Sequence, residues 1–334
     1  MKKKSRNFRT ALPRAACLAL MAYAAAAPAA DGYPSRPISL VVQAAPGGSS
    51  DITARVLAQK LSLAMNTQVI VINEPSAGGI VAMQRVKRAE PDGYTLMILG
   101  TKAAIGDAIF AAKNIDVLRD FEPVAQISTG QVAVVVKRDS PLKTMEDLIR
   151  DIKAKPGRVT VATGDVAGGI QYLGAALVRE ELKGDFVIVP YGTAAKLTTA
   201  VRAGEVDAAF ELVPGIVGSL RDGEARALAV SGTNQLQDLP GMKGVPTMKE
   251  VGLPASDVTT STFVVVPAGT PAGIVKTLNA EILRALAQPD LQQASRSRGS
   301  GIPDPYSAEE TRTQLAREIA RWQGIVKQAN VKSQ

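Results

Sequence analysis

The 334-residue sequence carries 39 Lys and Arg against 31 Asp and Glu, no histidine and a single cysteine. The missing histidine excludes Ser-His-Asp and Cys-His catalysis and any histidine-based metal site. Hydrophobic residues make up 46% and aromatic residues only 4%, so the expected core is one of Val, Ile, Leu and Ala.

In chain order, residues 1–30 stand apart from the rest. Lys2, Lys3, Lys4, Arg6, Arg9 and Arg14 form a basic leader without an acidic residue, and an apolar run from Ala15 to about Ala27 follows. Ala27-Pro28-Ala29-Ala30 supplies the small residues that a signal peptidase accepts, so a secretory signal cleaved near Ala27–Ala30 is expected. The apolar run is short for a membrane span, and an uncleaved anchor helix is the alternative. Cys17, behind Arg14-Ala15-Ala16, sits in a poor lipidation context. Without the leader, the formal charge falls from +8 to +2 (33 basic against 31 acidic residues), and no cysteine remains. The basic balance is therefore largely a targeting feature. No basic cluster interleaved with aromatics argues for nucleic acid.

The remaining chain alternates strand and helix patterns. Ile38–Val42 is a β-branched run expected as a buried strand, broken by Ala45-Pro46-Gly47-Gly48-Ser49-Ser50. Ala54, Leu57, Leu61 and Ala64 recur at helical spacing, and Val69–Ile72 is the next strand. Asn73–Gly79 is a turn, a helix runs to about Arg88, and Pro91-Asp92-Gly93 precedes a strand at Tyr94–Leu99. Strand, glycine loop and helix, repeated in this way, predict an α/β fold with a parallel sheet. Phe121–Ile127 and Val132–Val136 read as two runs parted by Ser128-Thr129-Gly130.

A second α/β series opens at Ser140-Pro141. Helices are expected at 145–153, up to Leu182 and up to Arg202. Strands are expected at Val159–Ala162, Phe186–Val189, Ala208–Leu212 and Ala227–Val230. Phe263–Val266 is a further strand, with Thr270 as N-cap and Pro271 as first residue of a helix carrying Val275, Leu278, Ile282 and Ala285. A last helix presents Leu315, Ile319, Trp322 and Val326 on one face. With these terminal helices packed back on the first domain, the chain crosses near 130 and near 260. The expected division is 31–130 plus 260–334 for domain 1 and 131–259 for domain 2, with a central cleft between them.

Three loops sit between a strand and a helix: Pro46-Gly47-Gly48-Ser49-Ser50-Asp51, Ser76-Ala77-Gly78-Gly79, and Gly164 to Gly169. Glycines let the backbone approach a ligand, and free amides at a helix N-terminus favour an anion. Tight turns over capped helices are the plainer reading of each loop. Asp51 fits a capping role better than a catalytic one. None of the loops has a P-loop or Gly-x-Gly-x-x-Gly pattern. No cofactor or metal is expected, and no nucleophile elbow marks an enzyme.

The order and spacing of several motifs carry a family likeness. They include Tyr33-Pro34-Ser35-Arg36-Pro37-Ile38, Pro46–Asp51, Asn73–Gly79, Pro91–Leu96, Val189-Pro190-Tyr191 and Gly204–Asp207. Arg226–Val230, Val245-Pro246-Thr247 and Pro267–Pro271 continue the series. Together they resemble the Bug family, the extracytoplasmic receptors of tripartite tricarboxylate transporters.

The resemblance implies a periplasmic binding protein of the type II-like class. Such a protein has two α/β domains joined by two crossover segments, and it captures a small organic acid by closing on it. It implies delivery to membrane permease subunits or to a sensor kinase, by a monomer; a periplasmic hydrolase is the remote alternative. The implied ligand contacts are Gly47, Gly48, Ser49, Asp51, Ser76, Ala77, Gly78, Gly79 and Thr101, with Gly164, Gly168, Tyr191, Thr193 and Glu211 from the second domain. Ala44, Ile170 and Glu211-Leu212 depart from the family pattern. Ala44 and Ile170 suggest a roomier, less polar cleft for a bulkier or aromatic acid.

Overall fold

The computed structural model describes residues 32–46, 49–76, 79–103, 115–165, 169–233 and 235–328. The expected leader, its cleavage site and Cys17 lie outside the described residues. Among the described residues no helix is long and apolar enough to cross a membrane.

The chain runs β1 (Ile38–Val42), α1 (Ser49–Ala64), β2 (Val69–Asn73), α2 (Ile80–Lys87) and β3 (Thr95–Gly100). After a helical turn at Val117–Asp120 come β4 (Phe121–Lys137), α3 (Met145–Ala154), β5 (Thr160–Thr163), α4 (Ile170–Leu182) and β6 (Val187–Pro190). Then follow α5 (Ala194–Ala203), β7 (Ala208–Leu212), α6 (Val213–Arg221), β8 (Ala225–Val230) and β9 (Thr259–Pro267). α7 (Ala272–Leu286), α8 (Pro289–Ser297), β10 (Ser300–Gly301) and α9 (Ala308–Gln328) complete the described chain.

The strands join in the order β2-β1-β3-β9-β4-β7-β5-β6, with β8 and β10 also on β4. Two parts of this sheet repeat one arrangement. β1 lies between β2 and β3, all parallel, and β5 lies between β6 and β7, again all parallel. In each part the first strand is central and the chain returns past it to reach the third. Right-handed crossovers then place the two helices on opposite faces and open a crevice at the carboxyl ends of the strands. The β-branched run of β1 follows from this: Ile38, Leu40, Val41 and Val42 are buried because both faces are covered.

β4 is one strand where two apolar runs were expected. Ser128, Thr129 and Gly130 continue it by pairing with Thr262, Ser261 and Thr260 of β9, and β10 adds bonds at Thr129 and Gly130. Backbone pairing outweighs the polar side chains and the glycine. A Cβ at Gly130 would collide with Thr260 Oγ1, so the glycine permits the close approach. The chain segments near 130 and near 260 thus lie side by side in one antiparallel ladder.

Two other expectations change. Ala64, the last residue of α1, is exposed, because the buried stripe ends at Leu61 before the chain turns at Asn66 with φ 47. Thr270 does not cap α7: its hydroxyl donates to Pro267 O at 2.8 Å, closing the preceding turn, and Pro271 takes the N-cap position in extended geometry.

The largest apolar core holds Met97, Phe263 and Val265 together with Val134, Leu173 and Phe210. α9 completes it with Leu315, Ile319 and Trp322. Arg312 of α9 donates to Glu122 Oε2 and to Leu118 O, both at 2.9 Å, and Lys60 of α1 pairs with Asp290 of α8 at 2.5 Å. A second cluster, including Leu197, Val201, Ile216, Leu220 and Met242, fills the other face of the β5–β8 part. Trp322 is fully buried, and its Nε1 donates to Glu318 Oε1 at 3.0 Å. Trp322→Ala should cost roughly 3–5 kcal/mol, read as a lower midpoint in denaturant unfolding.

Candidate functional site

The parallel strands of each part end along one edge of the sheet: β1, β2 and β3 in the first part, and β5, β6 and β7 in the second, where β7 passes directly into α6. The expected site residues fall at these six strand ends. Gly47, Gly48, Ala77, Gly78 and Gly168 lie outside the described residues, as does the side chain of Ser49.

In the first part the acids are neutralised locally. Asp51, 2% exposed in the first turn of α1, accepts from Arg55 Nε at 2.9 Å and from Asn73 Nδ2 at 2.8 Å. Asn73 Nδ2 also donates to Ala44 O at 3.0 Å. Asp51 therefore ties the start of α1 to the end of β2 and to the loop after β1. Glu74 pairs with Arg85 of α2. Ser76 serves the start of α2: its Oγ accepts from Val81 N at 3.2 Å, and its carbonyl accepts from Gly79 N at 3.0 Å. Gly79 has φ 72, and a Cβ there would collide with Gln43 Oε1. Gln43, whose Nε2 donates to Ile98 O at 3.2 Å, thus abuts this loop. No motif marked it in the sequence.

Thr101 follows β3 and is buried among other polar groups. Its Oγ1 lies 3.0 Å from Glu318 Oε1 and 3.1 Å from Ser261 O, and it accepts from Ser261 N at 2.8 Å. Gln126 Nε2 donates to Ser261 Oγ at 3.2 Å. Thr101 joins the end of β3 to β9, one residue from the β9 residue paired with Gly130, and to α9.

The second part is arranged differently. Asp165, in the loop after β5, accepts from Gln171 N at 2.8 Å and Tyr172 N at 3.1 Å. The protein's own carboxylate thus occupies the first turn of α4, where the sequence suggested room for a ligand anion. Glu211, at the end of β7 and 2% exposed, accepts from Gln171 Nε2 at 2.9 Å and from Leu212 N at 2.8 Å through Oε1. Its Oε2 is buried and has no partner among the described residues. Side chains at Gly164 or Gly215 would strike this carboxyl group, so the two glycines cradle it. Burial pushes Glu211 up to about 7, with the charge of Asp165 adding to the shift; burial also raises Asp165.

After β6, Tyr191 is partly buried against the second apolar cluster, and Thr193 caps α5, its Oγ1 accepting from Lys196 N at 3.4 Å. Ile170 is 5% exposed within the main core, so it does not widen a cleft as its apolar character suggested.

These features can be set beside known proteins. The model of the tripartite tricarboxylate transporter family receptor matches residues 53–331. The chain belongs to this receptor family. It is 31% identical to protein BugT of Bordetella pertussis over 310 residues, covering 92% of this chain and 94% of BugT. A solved R. palustris protein with adipate superposes with a TM-score of 0.76 at 26% identity, covering 90% of this chain and 99% of its own. MatC from Rhodopseudomonas palustris, with bound malate, gives a TM-score of 0.72 at 28% identity over 88% of this chain and all of its own. The fold is thus that of periplasmic binding proteins of this family, and the chain is a solute-binding receptor by membership, a type distinct from enzymes.

In this receptor Asp165 and Gln171 escaped sequence reasoning, because the glycines of their loop were the conspicuous signal. The donor amides lie six and seven residues after Asp165, beyond the two or three residues of an ordinary N-cap, so no capping pattern in the sequence marks the contact.

Glu211 links stability to pH. The burial penalty is absent below the ordinary carboxyl value of 4.5, grows as the unfolded chain ionises, and is complete above about 7. Stability should therefore fall between about pH 4.5 and pH 7, by at most about 3 kcal/mol. Glu211→Gln should flatten that part of a melting-temperature profile; an unchanged slope would clear Glu211 of the role.

Proposed function

We propose that this receptor captures a small organic acid in the periplasm and presents it to the permease subunits of a tripartite tricarboxylate-type transporter. Residues 31–130 with 260–334 form one domain and 131–259 the other. The β4–β9 ladder is the hinge, and the two domains close over the ligand. Residues 1–30 direct export and are removed.

The observation that carries this reading is the state of the strand ends after β1 and β2. Asp51 and Glu74 each hold an arginine, so no net negative charge opposes an incoming anion. The first turns of α1 and α2 end at the same edge of the sheet, where the positive ends of two helix dipoles add. Gly47, Gly48 and Ser49, then Ala77, Gly78 and Gly79, supply the backbone amides, with Ser76 and Gln43 beside them. The acids held by the R. palustris relatives, adipate and malate, agree with a carboxylate as the recognised group. Tyr191 and Thr193 contribute from the closing domain.

A thermal-shift screen of carboxylic acids tests the reading, since a ligand bound only by the folded state raises the melting temperature. At least one acid should give a saturable shift; none doing so would overturn it. Gly79→Ala should weaken that acid at least tenfold by calorimetry, because its Cβ meets Gln43 and φ 72 disfavours a side chain.

A further inference from the structure

We propose that the ligand's far end is a neutral or cationic hydrogen-bond donor, received by Glu211 with Asp165 behind it, and not a second carboxylate. This rests on the reading that the first-domain loops hold the carboxylate end.

The argument begins with the similarity of the two parts and the difference in their charge. Each offers the carboxyl ends of a parallel strand trio. In the first, Asp51 and Glu74 each hold an arginine. In the second, neither Asp165 nor Glu211 has an ion pair with a lysine or arginine among the described residues, and no cation contributes to their shifted protonation. Gln171 holds both acids at once, Asp165 through its backbone amide and Glu211 through its side-chain amide. The α4 amides that would welcome an anion are spent on Asp165. A ligand carboxylate brought here would meet two acids and no free donor among these amides. An uncompensated buried like charge is a severe penalty.

The same arrangement suits a donor. Glu211 Oε2 is a buried acceptor with no partner among the described residues, and a buried polar atom left unpaired is costly. Gly164 and Gly215 press close against the carboxyl group, where a Cβ on either would collide with it. A hydroxyl, amide or ammonium group at the far end of an organic acid would satisfy that oxygen.

The charged group facing Glu211 is Asp165; Gln171, Gly164 and Gly215 are its other neighbours. Protonation of Glu211 turns it into a donor. A dicarboxylate should therefore bind better as the pH falls through about 7, while an acid with a far-end ammonium should bind worse.

The test is calorimetry at pH 8 on matched sets. Each set pairs a dicarboxylate with the acids that replace its second carboxylate by hydroxyl, amide or ammonium, for aliphatic chains of three to eight carbons and for para-substituted benzoates. The donor-ended member of the best set should bind at least tenfold tighter than its dicarboxylate. Glu211→Gln should narrow that gap by improving the dicarboxylate, with circular dichroism confirming the fold. A dicarboxylate that binds as tightly as its donor-ended partners at pH 8 overturns this inference and leaves carboxylate capture standing. Failure of every acid in all sets overturns both.

Discussion

The antiparallel ladder between β4 and β9 is the constraint on which the architecture depends. β4 runs unbroken from Phe121 to Lys137; its first half pairs with β9 and its second half with β7 and β8. Every other strand is attached, directly or through a neighbour, to this one. Its middle is polar: Ser128, Thr129 and Gly130 face Thr262, Ser261 and Thr260. Backbone hydrogen bonds hold such a segment without a packed apolar face on both sides. The apolar ends of β4 are fixed in their cores. Gln131 adds a local tether, its Nε2 donating to Ser231 O and to Thr233 O, and Arg321 of α9 donates to Thr259 Oγ1 at 2.8 Å. The ladder is thus flanked by side-chain contacts from Gln131 of β4 and from α9.

Around this ladder the same strand–helix arrangement occurs twice, and electrostatics distinguishes the copies. The first places each acid next to an arginine and turns its helix N-termini outward. The second buries two acids around one glutamine. Topology alone would make the two trios equivalent, because strand order and crossover hand are the same. The difference comes from single side chains at the strand ends, which is where α/β folds place variation in function. Thr101 shows how the two concerns meet. It stands at a strand end where a ligand contact was expected, yet its hydroxyl also joins β3 to Ser261 of β9 and Glu318 of α9.

Much of this was legible in the sequence, and the reasons are local. β1 and β7 match their expected limits because short β-branched or apolar runs end at glycine, proline or a helix start. The alternation of strands and helices follows from the switch between runs of continuous apolar residues and stripes at helical spacing, as at Val275, Leu278, Ile282 and Ala285. The glycine loops were visible because glycine and proline punctuate so strongly. Where the reading failed, a distant partner had decided. Ser128-Thr129-Gly130 belongs to a strand only because β9 and β10 pair with it. Thr270 instead closes a local turn, its hydroxyl donating to Pro267 O.

The sequence by itself determined the composition of the core, the exclusion of histidine chemistry, the α/β class and the family likeness. These depend on residue identity and on spacing along the chain. Only the tertiary structure decided the state of the acids. Asp51 and Arg55 are a neighbouring pair that a sequence can suggest. Asp165, Gln171 and Glu211 come from three separate elements, and no pattern within any one of them announces their meeting. Burial, which sets the protonation of Glu211 and leaves Oε2 without a partner among the described residues, is a property of the packed protein, since it depends on what the rest of the chain keeps away from water.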